Sequence, residues 1–194
     1  MAKVTTDYKT LVYPMPAFLI GATVDDKPNF MTAAWSGIGG SIPPIITVGI
    51  RHSRYTLKGI KQNMTFSVNV PSVALVKETD YCGIESGAEV DKVKVCKFKV
   101  FYGKLNTAPL IEQCPVNLEC QALHILNVGS HALVVGRIEE TYVSEDCLTD
   151  GKPDVDKIKP FSFIPQPGAG YRALGEVVGK AFSIGRELRS KKPR

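Results

Sequence analysis

Along the first half of the chain, apolar residues come in short runs broken by turn residues. Residues 17–24 form an apolar run that stops at Asp25-Asp26-Lys27-Pro28, a turn by composition. Residues 29–36 resume it, so the two segments are expected to pair as a hairpin. Residues 45–51 make another β-rich run after Pro43-Pro44. The period then changes. Over residues 54–62, Tyr55, Leu57 and Ile60 recur at roughly helical spacing, with Ser53 as the expected N-cap and Asn63 as the stop. Residues 65–70 alternate, with Phe66, Val68 and Val70 on one face and Ser67 and Asn69 on the other. A short helix is expected over 73–81, capped by Ser72, before a Gly/Ser/acidic loop over 83–91. Residues 116–126 and 132–143 are the longest strand candidates, joined through Asn127-Val128-Gly129-Ser130. The end is irregular, with Pro160, Pro165, Pro167, Gly168 and Gly170 ahead of a short helix or extension over 174–188. Six or seven strands, two or three helices and no βαβ alternation predict a small, mostly antiparallel barrel with helices attached.

No repeat or linker divides the 194 residues, so one domain over 1–194 is expected. A chain of this size buries roughly 70% of its unfolded surface. Hydrophobic residues at 44% and charged residues at 22% match ordinary globular usage and exclude a disordered or collagen-like chain. The apolar stretches fall well short of the ~18 to 20 residues of a membrane span. Met1-Ala2-Lys3-Val4-Thr5 lacks a signal-peptide core, which favours a soluble, cytoplasmic protein. Part of the +5 net charge gathers at Arg186, Arg189, Lys191, Lys192 and Arg194. No aromatic residues interleave with them as a nucleic-acid platform requires, and a solvated terminus accounts for them. Neither nucleic acid nor membrane is therefore expected as a partner. The five cysteines (82, 96, 114, 120 and 147) include no C-x-x-C pair and no zinc template, so reduced thiols and no metal are expected. Cys82, beside Gly83, stands apart as the one in a polar loop.

Several motifs fail on context. Gly168-Ala169-Gly170-Tyr171-Arg172-Ala173 spells G-x-G-x-x-A, yet Pro165 and Pro167 sit where the leading strand belongs. Gly37-Ile38-Gly39-Gly40-Ser41 reads as a flexible loop. No nucleophile elbow, P-loop or H-E-x-x-H is present, which removes the main support for a hydrolase or nucleotide triphosphatase. Two segments remain. Arg51-His52-Ser53-Arg54-Tyr55-Thr56 places two guanidinium groups and hydroxyls where a strand hands over to a helix, a setting suited to phosphate. On this segment alone, a plain cap with solvated arginines fits equally. Asn29-Phe30-Met31-Thr32-Ala33-Ala34-Trp35-Ser36 carries small residues that let a flat ligand approach the backbone, while a core strand with a packed Trp explains the same letters.

Taken in order, these segments resemble the flavin reductase-like, FMN-binding split-barrel family. The resemblance continues through Pro43 to Val48, Phe66 to Pro71, Asp80-Tyr81-Cys82-Gly83, Ser86-Gly87, Asp91-Lys92, Glu119-Cys120 and Gly129-Ser130-His131. Tyr171-Arg172-Ala173-Leu174-Gly175-Glu176 is similar to the flavoredoxin branch. The resemblance implies a mainly β fold with helices, an antiparallel Greek-key split β-barrel. It also implies a homodimer with FMN near the subunit interface and a C-terminal arm over about 165–194. By position, Ser53, Arg54 and Thr56 hold the phosphate, with Arg51 close by. Asn29 and Thr32, Ala33, Ala34, Trp35 and Ser36 line the isoalloxazine. Asn69, Cys82, Gly83 and Lys92 match positions in or near the pocket, and His131 matches a hairpin-turn histidine facing flavin or nicotinamide. Phe163 and Tyr171 fall in a stretch that covers flavin from the partner subunit. A cation near the flavin N1 and C2 carbonyl raises its reduction potential, a role open to Lys92 or His131. No residue is assigned a certain catalytic role; Cys82 and His131 are the candidates.

The implied function is flavoredoxin-type electron transfer through a tightly bound FMN, with a ferredoxin-like redox partner as donor or acceptor. The alternatives are an NAD(P)H:flavin oxidoreductase, with NAD(P)H as donor, and a non-catalytic flavin-binding module.

Overall fold

The computed structural model describes residues 1–7, 9–166 and 168–188. After a short β1 (Met15–Pro16), β2 (Phe18–Val24) and β3 (Lys27–Ala33) form the expected hairpin. Asp25 and Asp26 take φ of 47° and 62°, the paired positive values of a two-residue turn whose twist matches the strands. β4 (Ser36–Ser41) and β5 (Pro44–Arg51) follow as a second antiparallel pair. The glycine-rich stretch expected as a loop is thus an edge strand. Glycines hide any alternation of polar and apolar side chains, and the ladder comes from the β-rich partner β5.

Helix α1 (Tyr55–Asn63) starts one residue later than expected. Its N-cap is Arg54, and no side chain caps it, so Ser53 is not the cap. At the other end Met64 takes a left-handed φ of 52° and donates its N–H to the Ile60 carbonyl. The helix lies against β2 through Gly59, where an added Cβ would sit 2.3 Å from the Thr23 carbonyl oxygen. That obstacle is backbone and cannot rotate away. Gly59→Ala is expected to destabilise the chain by about 1–3 kcal/mol, despite alanine's better helix propensity. The urea midpoint measures this, and an unchanged midpoint would show that α1 has room to lift.

β6 (Thr65–Val70) alternates as read, but its polar face is buried too, because the strand lies between β2 and β9 (Val116–Asn127). Next come a 3₁₀ turn at Val73–Leu75, capped by Ser72 as expected, and α2 (Val76–Ile84). α3 (Lys92–Val95) is capped by Asp91, and β7 (Val100–Phe101) pairs with β8 (Leu110–Ile111). β10 (His131–Val143) completes the long hairpin with β9. The main sheet runs β3-β2-β6-β9-β10-β5-β4, antiparallel throughout. Its core gathers Ile20, Ile46, Ile50, Phe66 and Val68 around Leu57 and Ile60 of α1. A second cluster holds Leu19, Phe30, Cys82, Phe98, Ile111 and Cys114.

Beyond β11 (Leu148–Thr149), β12 (Lys152–Pro153) and α4 (Val155–Ile158), β13 (Phe161–Ile164) pairs with both β1 and β14 (Gly170–Ala173). β14 occupies the G-x-G-x-x-A letters, in an antiparallel pair and not a βαβ unit. Residues 184–188 form a 3₁₀ turn. Pro167 and the basic residues Arg189, Lys191, Lys192 and Arg194 lie outside the described residues. Among those described, no helix is long and apolar enough to cross a membrane.

One buried charge holds this frame. Glu119 on β9 is wholly buried, and its carboxylate accepts from the backbone N–H groups of Gly103, Lys104 and Leu105 at 3.0, 2.9 and 3.2 Å. The Tyr142 hydroxyl donates to it at 3.2 Å.

Candidate functional site

A cleft of about 610 Å³ opens where β3, β5, the start of α1, the end of α2 and the β13–β14 hairpin converge. One end is built for an anion. The first N–H groups of α1 lack partners within the helix, and the positive end of its dipole lies there. Ser53, Arg54 and Thr56 line this end, with Arg51 beside them. One Arg54 guanidinium N–H donates to the Gly83 carbonyl at 2.7 Å, which fixes the fork and leaves its other donors over. Burial and the neighbouring Arg51 push the Arg54 pKa down from its ordinary value. Thr56 is buried and accepts from the Asn29 amide at 2.7 Å, so its own hydroxyl proton remains to donate. Asn29 is in turn covered by Gly87, where an added Cβ would lie 1.9 Å from its Oδ1.

The flat wall is the end of β3 and the bend after it, at Thr32, Ala33, Ala34 and Trp35. The Thr32 hydroxyl donates to the Thr79 carbonyl, tying the wall to α2. Trp35 is 44% exposed and stacks on His131, with ring centroids 4.5 Å apart and planes 27° apart. β10 pairs His131 directly with Arg51 of β5. Burial, Arg51 and His52 together push the His131 pKa below the usual imidazole value.

Lys92 stands at the back. It is 3% exposed, and its ammonium donates to the Phe30 and Cys82 carbonyls at 3.0 and 2.9 Å. Burial pushes its pKa down, and Arg54 adds to this. Opposite, Phe163 and Tyr171 close the cleft. The Tyr171 hydroxyl donates to Asp80 of α2 at 2.8 Å, and the ring packs edge-on to Phe161 at 5.4 Å. These two aromatics were expected to reach across from a partner subunit. Here β13 and β14 bring them to the cleft of their own chain, because β13 pairs with β1 next to the main sheet.

Three expected residues stand outside the lining. Asn69 is wholly buried in β6; it donates to the Leu19 carbonyl and accepts from Ile111 N–H and the Asn117 amide. The Cys82 side chain points into the second core, where burial pushes its thiol pKa up. Only its carbonyl serves the cleft, through Lys92. Ser36 borders a separate groove of about 410 Å³ on the far side of Trp35. Conversely, Thr10, Asp80, Glu85, Ser86, Gly87 and Pro165 line the cleft without having been singled out as site residues. Asp80, Ser86 and Gly87 belong to segments that carry the family resemblance, a signal that could have found them. Thr10 and Pro165 arrive through long-range packing and have no local signature.

Comparison with known proteins agrees with this geometry. The chain matches the family model described as flavin reductase like domain over residues 10–158. It is 40% identical to the flavoredoxin of Methanosarcina acetivorans, whose crystal structure superposes with a TM-score of 0.93 over 97% of this chain and 100% of that one. The flavoredoxin of Desulfovibrio vulgaris (Miyazaki F) is 38% identical, with a TM-score of 0.88 over 95% of this chain and 100% of its own. An uncharacterised protein of Archaeoglobus fulgidus is 37% identical over 145 residues, 75% of this chain and 81% of that protein.

Proposed function

This chain belongs to the flavin reductase-like domain family, and on that footing we propose that it is an FMN-binding electron-transfer protein of flavoredoxin type. The observation that carries the proposal is the joining, in one cleft of about 610 Å³, of an anion-suited helix start and a flat, small-residue wall. That volume is within the range of about 300–1,000 Å³ usual for cofactor sites. When bound, FMN supplies reversible electron transfer that no side chain can perform.

The residues present fit that group. Ser53, Arg54 and Thr56 hold the phosphate, with Arg51 adding positive charge. Asn29 orients Thr56 so that its proton faces the cleft. Thr32 to Trp35 offer backbone and small side chains to the ring, and Phe163 and Tyr171 exclude water from the other side. Lys92, clamped by two carbonyls, supplies a buried cationic donor that favours the electron-rich form of the flavin. Gly87→Ala tests this arrangement, since the new methyl must displace the Asn29 amide. Loss of one hydrogen bond of about 1 kcal/mol corresponds to roughly fivefold weaker FMN binding, read by flavin fluorescence. Undiminished affinity would remove Asn29 from the site.

Two features support a homodimer that buries the β4 side of the barrel. Ile38 and Ile42 are 70% and 96% exposed there, and β4 is an edge strand. The redox partner is of ferredoxin-like type, and a cytoplasmic setting accords with five free thiols. The deciding experiment is an anaerobic titration of the FMN-loaded protein with reduced ferredoxin, NADH and NADPH, followed by flavin absorbance. Reduction by ferredoxin alone is expected. Rapid bleaching by a nicotinamide would make the chain an NAD(P)H:flavin oxidoreductase, and failure to bind added FMN would overturn the reading altogether.

A further inference from the structure

Behind the cleft, two thiols that the flavin reading does not use come together. We propose that Cys82 and Cys96 form a reversible dithiol–disulfide couple, oxidised by exchange with a low-molecular-weight disulfide. Cys82 is wholly buried in the second core, and Cys96 packs against the same cluster while keeping part of its surface open. One residue ties both into place. The Lys92 ammonium donates to the Cys82 carbonyl at 2.9 Å, and the Cys96 N–H donates to the Lys92 carbonyl at 3.0 Å. Each thiol also perturbs the ionisation of the other.

A third group completes the cluster. Glu78 lies one helical turn before Cys82 on α2, and its Oε2 is buried with no hydrogen-bond partner among the described residues. Leaving a buried carboxylate oxygen unpaired is costly, so a hydrogen-bond donor is favoured beside it. Its charge acts on both thiols.

The open thiol reacts first. Burial raises both thiol pKa values, but Cys96 keeps part of its surface open while Cys82 is buried, so Cys96 is the one a small disulfide can reach. Cys96 gives up its proton and its sulfur attacks the small disulfide. That S–S bond breaks, and one half leaves as a thiol after taking up a proton. Cys82 then loses its proton to Glu78 and attacks the Cys96 sulfur of the mixed disulfide. The Cys82–Cys96 bond forms, and the second half leaves as a thiol with the proton from Glu78. Two protein thiols have lost two electrons and two protons, and one small disulfide has become two thiols. Because Lys92 lines the cleft as well as joining the two cysteines, the bridge also reaches the cleft. That consequence alone rests on the flavin reading.

The test treats dilute, reduced full-length protein with glutathione disulfide and follows intact mass and peptide maps. The expected product has lost two hydrogens, carries no glutathione, yields a peptide joining Cys82 to Cys96 and reverts with dithiothreitol. Cys114→Ser is expected to bridge as the parent does, and Cys96→Ser to show neither bridge nor adduct. Glu78→Gln is expected to slow bridging about tenfold or more at unchanged melting temperature. Unchanged mass, a glutathione adduct that stays on Cys96, or a bridge to Cys114 would each overturn the proposal. An unchanged rate in Glu78→Gln would overturn the role given to that carboxylate. None of these readouts needs FMN, so they fail or succeed separately from the flavin reading. The reading itself is probed by the bridged protein's FMN affinity, expected to be lower than that of the reduced form.

Discussion

Replacing Ser53 and Arg54 together with alanine is expected to weaken FMN binding by about a hundredfold or more. Each hydrogen bond to a charged group contributes about 1.5–3 kcal/mol, and about 1.4 kcal/mol is a factor of ten. The two side chains are suited to the task for different reasons. Ser53 stands ahead of α1 without capping it, so its hydroxyl is not engaged by the helix. Arg54 is fixed by its bond to the Gly83 carbonyl, which means that little order is lost when its remaining donors meet a phosphate. Arg54→Lys separates charge from fork geometry. It keeps the charge, loses the two-pronged grip and is expected to recover only part of the affinity. Arg51 is exposed, so Arg51→Ala is expected to cost much less and to depend on salt. Fluorescence titration of FMN measures all three variants, with thermal melts as the check on folding. A double variant that binds as tightly as the parent would place the phosphate elsewhere in the cleft.

Glu119→Ala carries the largest expected loss of stability. Truncation leaves three backbone N–H groups, of Gly103, Lys104 and Leu105, facing an apolar methyl in a buried site. Removing one side of a buried, hydrogen-bonded charge costs about 3–5 kcal/mol. For a chain of this size, each kcal/mol lowers Tm by about 2–4 °C, so a fall of about 10 °C is expected. Glu119→Gln is a sharper probe. Its amide turns one acceptor into a donor that faces other donors, and the loss should persist although the volume is kept. FMN affinity should hold in whatever fraction stays folded, because Glu119 does not line the cleft. A melting temperature within about 2 °C of the parent would show that water takes over the three N–H groups.

What was legible in the sequence follows from how local each cause is. The β2–β3 hairpin was readable because its turn residues and flanking apolar runs act within a dozen positions of each other. The long β9–β10 hairpin and the Ser72 cap were readable for the same reason. β4 and β14 were not, since the glycines of β4 carry no alternation, β14 is only four residues long, and both depend on a partner strand for their ladder. The period of β6 was legible but the burial of both its faces was not, because the burial of Ser67 and Asn69 depends on segments more than forty residues away. The same distinction governs the cleft. Ser53, Arg54 and Thr56 sit in one short stretch, and the fold keeps them together. Asn69 and Cys82 are placed near the ligand only by the family resemblance, and their side chains turn instead into cores that only the assembled molecule defines.

The chain has a single tryptophan, and it stands at the rim of the cleft, stacked on His131. The protein therefore carries its own optical probe. All indole emission originates at one place, and its spectrum overlaps flavin absorption, so a filled cleft darkens it by energy transfer. In flavin-free protein the stacked imidazole is expected to quench it, and more strongly once protonated. Because burial and Arg51 push the His131 pKa down, that second dimming should set in at lower pH than for an ordinary imidazole. Occupancy and proton state at the rim can then be followed by light alone, without a label.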